Sequence, residues 1–322
     1  MARGIFVGLL ALLALASPFT GALDLEWSEL LRQGSMAQNV FFDLRLPRLL
    51  LAFFAGALLA VAGWLFQTLF RNALMTPYTL GISGGAVLGT GVATVLGLDA
   101  TLLGIAWGGL FGFGGALASV ALLLWLSKHL PHHSSNALLL LGIALSFFYQ
   151  AALMMLFYLS DAMQSHAILR YTMGSLSTIG YGEAGVALGV SLLLLGVIYA
   201  KRYELALLGV HEDHARLKGV DTEALVKLLL LGASLGIGVL ISIIGPVGFV
   251  GLIVPHIVRK LYRRSNTALI VPTFWIGGLF LAACDTLSRS VQLQSEIPIG
   301  VMTALIGGPF FVYLIFRKNR ES

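Results

Sequence analysis

The chain has 322 residues, of which 58% are hydrophobic and 11% are charged, and its net charge is +5. Soluble domains carry about 25% charged residues, so this chain has too few of them to cover a water-facing surface. Its apolar content excludes disorder, and its single cysteine, Cys284, excludes an internal disulfide framework. The composition therefore predicts an all-α polytopic membrane protein in which residues 1–322 form a single integral domain.

The first apolar segment, near residues 4–23, allows two interpretations. A basic start, an apolar run and Ala-Leu-Ala before Ser17 are typical of a cleavable signal peptide. The alternative is a retained first transmembrane helix from Arg3 to Leu23. We favour the retained helix because the next segment is another membrane segment and not a soluble domain.

Nine apolar segments have the length of about 20 residues that a transmembrane helix needs. A tenth, near residues 247–262, is shorter and follows Gly245-Pro246. We count it as a span because the charges on its two sides sort into an inner and an outer group only if it crosses the membrane. The nine longer segments lie near residues 4–23, 49–70, 79–98, 101–127, 136–160, 184–200, 225–244, 267–287 and 297–316.

The distribution of positive charge predicts the orientation of the chain. With ten spans both termini lie on one side of the membrane, and that side carries fifteen of the 20 Lys and Arg residues. The positive-inside rule places this side in the cytoplasm. The net charge is therefore a topology signal, and no nucleic-acid partner is expected. Both termini are therefore predicted to lie inside.

Glycines recur at a spacing of four in two of the apolar segments. In a helix this spacing lines one face and lets two backbones approach closely, so a tightly packed bundle is predicted. The two sets are Gly81, Gly85 and Gly89, and Gly104, Gly108 and Gly112.

The sequence lacks the usual motifs of catalysis and of cofactor binding. No glycine is followed by Lys-Ser or Lys-Thr, which excludes a P-loop, and HExxH and paired-cysteine motifs are also absent. No catalytic, cofactor or metal residue is therefore predicted. His129, His132 and His133 lie close together and leave a metal site open, but a solvated loop beside a helix end is the favoured interpretation.

Ion-driven transporters usually place carboxylates deep in the membrane. All 15 acidic residues of this chain lie at or near segment ends, and Asp285 comes nearest to an exception. Arg289 follows it by four residues, the spacing of a helical ion pair. If the protein is a transporter, its energy should then come from a partner. An ion-coupled secondary transporter remains the alternative from another class.

Seven stretches of the chain carry a family resemblance. They are RLPRLLLAFFAGALLAVAG at 45–63, FRNALMTPYTLGISGGAVLG at 70–89, LLLLGIALS at 138–146, LLGVHEDHARLKGVD at 207–221, GPVGFVGLIVPHIVR at 245–259, ACDTLSR at 283–289 and EIPIGVMTALIGGPFFVYLI at 296–315. In this order, over nearly the whole chain, they resemble the permease family of type II ABC importers. This is the FecCD or BtuC-like group, which imports iron–siderophores, haem or cobalamin.

The resemblance implies a BtuC-like fold with about ten transmembrane helices per subunit. It also implies a homodimer or a related heterodimer in the lipid bilayer of the bacterial cytoplasmic (inner) membrane. The implied partners are an external substrate-binding protein and two cytoplasmic ABC ATPases that hold ATP and Mg. The chain itself is then no enzyme, since ATP is hydrolysed by the partner subunits. The implied function is alternating-access import of a ferric siderophore or similar iron chelate, with haem or cobalamin (vitamin B12) as the alternatives.

Residues 207–221 form a polar island between two apolar segments, within a coupling segment of about 205–222. In the family this loop folds into short coupling helices that contact the ATPase, and an ordinary solvated loop is the alternative. Acidic residues favour a helix start and basic residues a helix end, and glycine can terminate a helix. The predicted coupling residues are Glu212, Asp213, Ala215, Arg216, Leu217, Gly219 and Val220.

Arg45, Arg48 and Arg289 match family positions that pair with glutamates of the binding protein, and a guanidinium fork suits carboxylates. The alternatives are that Arg45 and Arg48 anchor a helix at the membrane interface by snorkelling and that Asp285 holds Arg289.

Ser134, Ser135 and Asn136 precede the fifth span, where the family closes the path with small polar residues at a cytoplasmic gate. A helix N-cap is the alternative.

His256 could be an iron or haem ligand, but a structural role beside Pro255 is favoured.

Overall fold

The computed structural model describes residues 2–20, 35–98, 101–102, 105–129, 135–210, 212–262, 265–291 and 296–321. Most of them are helical. The α-helices are α1 (Ala2–Ala16), α2 (Met36–Asn39), α3 (Leu46–Leu69), α4 (Ile82–Val95), α5 (Trp107–Ser127), α6 (Ser135–Leu159), α7 (Ala162–Met173), α8 (Gly182–Ala200), α9 (Arg202–Val210), α10 (Glu212–Leu217), α11 (Thr222–Ile244), α12 (Val250–Tyr262), α13 (Ile270–Ser290) and α14 (Ile299–Glu321).

The remaining regular elements are short. A π-helical segment, Val40–Arg45, joins α2 to α3. Ser17–Phe19 and Asn266–Leu269 are 3-10 turns. Strands β1 (Thr101–Leu102) and β2 (Ile105–Ala106) pair antiparallel, with Thr101 opposite Ala106.

Six of the described helices are long and apolar enough to cross a membrane. Three shorter apolar helices accompany them: Gly4–Phe19, Ile82–Val95 and Ile299–Val312. The predicted helical membrane class is therefore confirmed. Each of the ten predicted segments contains a helix, but the count of ten crossings stays a prediction. The six long helices are Met36–Leu69, Trp107–Ser127, Ala137–Leu159, Gly182–Ala200, Thr222–Ile244 and Asn266–Ser290.

Helix α3 is the centre of the bundle. It is buried along nearly its whole length and contacts α8, α12 and α13. Glycines make this close packing possible, because a Cβ at Gly56 would overlap the backbone of Gly277 in α13, and one at Gly63 would overlap Gly251 in α12. Small residues play this role in membrane bundles, where helices associate by close packing.

The predicted glycine face of α4 is confirmed as a packing surface. Gly85 lies against Gly115 of α5, and Gly89 lies against Phe111 and Gly115. On the other helix Gly112 faces Thr90, whose hydroxyl donates to the Gly108 carbonyl at 3.0 Å. Gly104 lies outside the described residues.

Helix α1 packs against α13, and its Leu10 and Ala14 are buried. The Thr286 hydroxyl donates to the Leu13 carbonyl at 3.1 Å. The first apolar segment therefore forms a helix that packs in the bundle, and its retention stays a prediction.

The sequence did not predict α7 as a separate helix. Asp161 caps its start by accepting a hydrogen bond from the Gln164 amide at 2.7 Å, while the Gln164 side chain accepts from the Asp161 amide. This reciprocal capping box fixes a helix start directly after α6. Gly174, at φ +72°, ends the helix.

Candidate functional site

The polar island folds as the sequence predicts. Helix α10 begins at Glu212 and ends at Leu217, and Gly219 follows in the left-handed region at φ +80°. The Val220 amide closes the end of the helix by donating to the Ala215 carbonyl at 3.0 Å. The next helix, α11, starts two residues later because Asp221 caps the Ala224 amide at 3.0 Å.

The side chains of α10 divide into a buried and an exposed set. Ala215 is buried, so it holds α10 against the rest of the chain. Leu217 is 85% exposed, and Asp213 and Arg216 are also exposed. We call Asp213, Arg216 and Leu217 the coupling face. An exposed leucine between charged residues matches the apolar centre and polar rim of a protein interface.

Arg216 also joins α10 to α11. Its guanidinium donates to Glu212 at 2.7 Å and to the Thr222 hydroxyl at 3.1 Å. Thr222 in turn donates to Glu212 at 3.2 Å. A force on the coupling face would therefore reach the first residue of α11.

Arg71 makes a second connection to this region, which sequence reasoning missed. It follows α3 with φ +48°, in a left-handed region that non-glycine residues rarely adopt. Its guanidinium donates to the Leu208 carbonyl in the last turn of α9 at 2.8 Å. A cation suits the carbonyl end of a helix. Arg71 therefore joins the helix before α10 to the segment that leads into α4.

Two of the three arginines predicted to dock the binding protein, Arg48 and Arg289, belong to an ion-pair cluster around Asp285. Asp285 is fully buried and accepts from the Arg48 guanidinium at 2.8 and 3.1 Å and from Arg289 Nε at 3.1 Å. Arg48 also donates to Glu296 at 2.8 Å. The predicted pair between Asp285 and Arg289 is confirmed, whereas the contact between Asp285 and Arg48 was not predicted.

This cluster also fixes the end of α1. Arg289 donates to the carbonyls of Ser17 at 3.0 Å and Thr20 at 2.9 Å. Arg45 donates to the Pro18 carbonyl at 3.0 Å. Arg45 and Arg289 are buried, and the Arg48 side chain is only 15% exposed. In this conformation all three arginines have internal partners, so their docking role stays a proposal.

The structure also contains an open cavity of about 520 Å³. Four separate segments line it: residues 76–79, 172–173, 246–252 and 300–305. Its polar groups are hydroxyls, and no lining residue in the described part of the chain is charged. The lining residues are Thr76, Tyr78, Thr79, Thr172, Met173, Pro246, Gly248, Phe249, Leu252, Gly300, Val301, Ala304 and Leu305.

Two aromatic side chains shape this cavity. Phe249 has φ +66°, a strained conformation for a bulky residue, and packs against Gly307. Tyr78 is 55% exposed. Tyr171, next to the lining residue Thr172, donates its hydroxyl to the Ile241 carbonyl at 2.7 Å. The cavity was not predicted from the sequence, because its walls are far apart along the chain.

The predicted gate lies at the edge of the described structure. Ser134 falls outside the described residues, and α6 begins at Ser135 with Asn136 next. The gate therefore stays a prediction.

The histidine candidates gain no support as metal ligands. His129 stacks on Trp125 with ring centroids 5.4 Å apart, while His132 and His133 lie outside the described residues. His256 lies beside Phe310 at 6.4 Å. Within the described ranges, no three His, Cys, Asp or Glu side chains could together hold a metal ion.

Comparison with known proteins gives a consistent result. The sequence profile of the FecCD transport family matches residues 9–317. The hemin transport system permease protein HmuU of Yersinia pestis is 36% identical over 324 residues, which cover 99% of this chain and 96% of that protein. The vitamin B12 import system permease protein BtuC of Vibrio vulnificus is 32% identical, over 98% of this chain and 94% of that protein.

A solved structure agrees with these relatives. An inward-facing ABC transporter assigned to the metal-chelate type superposes with a TM-score of 0.83 at 29% identity. The match covers 97% of this chain and 99% of the other.

Proposed function

Because this chain belongs to the FecCD transport family and is a permease subunit of an ABC importer, we propose that it carries a ferric siderophore or a similar iron chelate into the cytoplasm. Family membership implies an ATPase, a substrate-binding protein and a second permease subunit as partners. We further propose two ATPases, a permease dimer and cytoplasmic termini.

The proposed substrate class rests on the residues that line the cavity. Bare metal ions bind to charged or strongly polar ligands, and oxyanions bind to cationic ones. The described lining offers hydroxyl and apolar groups instead. Such a surface suits a large substrate whose metal is enclosed by a chelator, and it holds that substrate weakly enough for release.

Haem is the second candidate. The relative from Yersinia pestis is a hemin permease. Tyr78 and Phe249 both line the cavity, and aromatic rings of this kind can stack on a planar macrocycle.

Growth tests separate these substrates. The chain, its ATPase and its binding protein would be expressed in cells that lack their own iron-chelate permeases. Growth on a ferric siderophore as the iron source supports the proposal, and growth on hemin alone supports the second candidate. Growth on neither, with uptake of vitamin B12, would reject both.

The mechanism that we propose is alternating access driven from the coupling face. The ATPases would bind Asp213, Arg216 and Leu217, and their closure on ATP would move α10. Two contacts would carry this movement into the bundle: Arg216 to Thr222 of α11, and Arg71 to Leu208. Residues 76–79, which follow Arg71, line the cavity and would move with it.

Arg71→Ala is expected to uncouple substrate uptake from ATP hydrolysis. A hydrogen bond to a charged group contributes about 1.5–3 kcal/mol, which corresponds to about 10- to 100-fold in an equilibrium. Substrate uptake per ATP hydrolysed, measured in proteoliposomes, should therefore fall about tenfold or more. Arg202→Ala is the matched control, since Arg202 starts α9 and stacks on its neighbours Tyr199 and Tyr203. Equal effects of the two substitutions would reject the role of Arg71.

Tyr78→Glu is expected to lower uptake several-fold while ATP hydrolysis continues. The substitution puts a carboxylate into an uncharged cavity, where an anionic chelate would be repelled. Tyr78→Phe keeps the ring and should transport normally. Uptake that is unchanged by Tyr78→Glu would show that the substrate does not pass this cavity.

A further inference from the structure

A groove of about 640 Å³ lies between α5 and α11 and shares no lining residue with the cavity at Tyr78. We call it the α5–α11 groove. Its lining residues recur every three or four positions, so each helix contributes one face. On α5 and just beyond it they include Leu117, Leu124, Trp125 and Lys128, and on α11 they are Glu223, Lys227, Leu231 and Ser234.

Charged groups are confined to one end of this groove. Lys128 directly follows α5, and Glu223 and Lys227 lie in the first two turns of α11. Lys227 pairs with Glu223 at 2.6 Å, and both side chains are more than half exposed. Two amines against one carboxylate leave this end positive. Trp125, 58% exposed, lies one turn from Lys128. Tryptophan and lysine together mark the level of the lipid headgroups.

Ser234 marks a second level, deeper in the groove. It is 1% exposed, and its hydroxyl has no hydrogen-bond partner within the described part of the chain. Seven residues separate it from Lys227, which is about 10 Å at 1.5 Å per residue. An unsatisfied hydroxyl inside a bilayer is costly, so this position favours a ligand that carries an acceptor.

The order of groups in the groove is the order of groups in a phospholipid. A phosphate lies at the headgroup level, ester carbonyls lie deeper, and acyl chains follow. The groove presents amines, then the Ser234 hydroxyl among apolar side chains such as Leu117 and Leu231. Basic grooves between membrane helices bind anionic headgroups. Since a zwitterionic lipid has no net charge, the positive end favours an anionic one.

We propose that the α5–α11 groove is a binding site for one anionic phospholipid. Lys128 and Lys227 bind its phosphate, the Ser234 hydroxyl donates to an ester carbonyl, and an acyl chain lies deeper, along Leu117. Because Lys227 also pairs with Glu223, the headgroup has to bind without breaking this ion pair. This site does not depend on the transported substrate.

Fluorescence quenching by brominated lipids tests this site. The full-length permease would be reconstituted into phosphatidylcholine nanodiscs that contain a small fraction of brominated phosphatidylglycerol or, separately, of brominated phosphatidylcholine. The signal of Trp125 is the difference between the wild-type chain and Trp125→Phe. We expect stronger quenching by phosphatidylglycerol than by phosphatidylcholine at equal mole fraction.

The variants decide whether the groove causes this preference. Lys128→Gln and Lys227→Gln should each lower the preference for phosphatidylglycerol about fivefold. Ser234→Ala removes a contact that both lipids can make, so it should weaken the quenching by both lipids to the same extent. Arg202→Gln, a basic surface residue outside the groove, should leave it unchanged. Thermal unfolding would verify that each variant is folded. Equal quenching by both lipids, or a preference that survives loss of both lysines, would overturn the proposal.

Discussion

Leu217→Asp is expected to abolish coupled uptake and to weaken the binding of the ATPase by about 10- to 100-fold. Leu217 is 85% exposed on the coupling face, between charged neighbours. Truncation of a central interface residue costs about 2 kcal/mol or more, and a carboxylate left unpaired in the interface adds a desolvation penalty. The measurement is the affinity of the purified permease for its ATPase, together with substrate uptake in proteoliposomes.

Leu217→Met is the matched control, because it keeps an apolar side chain of similar size and should retain most of the activity. Thermal unfolding should be the same for both variants, since Leu217 is exposed within this chain. Normal uptake by Leu217→Asp would show that α10 does not couple the ATPase to transport.

Asp285→Asn is expected to destabilise the permease by about 3–5 kcal/mol, the usual effect of removing one partner from a buried ion pair. The fully buried Asp285 accepts from both Arg48 and Arg289. Glu296 can still compensate Arg48, but Arg289 would keep only uncharged partners. The measurement is the free energy of unfolding, or the midpoint of thermal unfolding, in one detergent.

Two further variants test this explanation. Replacing Asp285 and Arg289 together by leucine should recover part of the stability, because a buried pair can often be exchanged for apolar residues. Glu204→Gln removes an exposed pair with Lys201 and should change stability little. If Asp285→Asn were as stable as the wild type, the cluster would not fix the end of α1.

The local features of the fold were readable from the sequence. Apolar runs predict the long helices, and the i,i+4 spacing predicts the pair between Asp285 and Arg289. Glu212 and Gly219 correctly bound α10. The capping box of α7 has a sequence signature, since Asp161 precedes Gln164 by three residues, but this helix was not predicted.

Features that depend on long-range packing could not be predicted from the sequence. Arg48 and Asp285 are 237 positions apart, and no periodicity connects them. The cavity is built from four segments, and three of them meet where Gly300 lies against the carbonyls of Met173 and Pro246. The positive φ of Arg71 has no signal in the sequence either, because local rules favour glycine there.

The most direct test is uptake of an iron chelate by proteoliposomes that contain the permease and its ATPase, with the binding protein outside. Uptake would be measured with internal ATP and no ion gradient, and then with an ion gradient and no ATP. The account predicts uptake only with ATP, and its loss in Leu217→Asp. Uptake driven by the gradient alone would contradict it and would indicate an ion-coupled transporter.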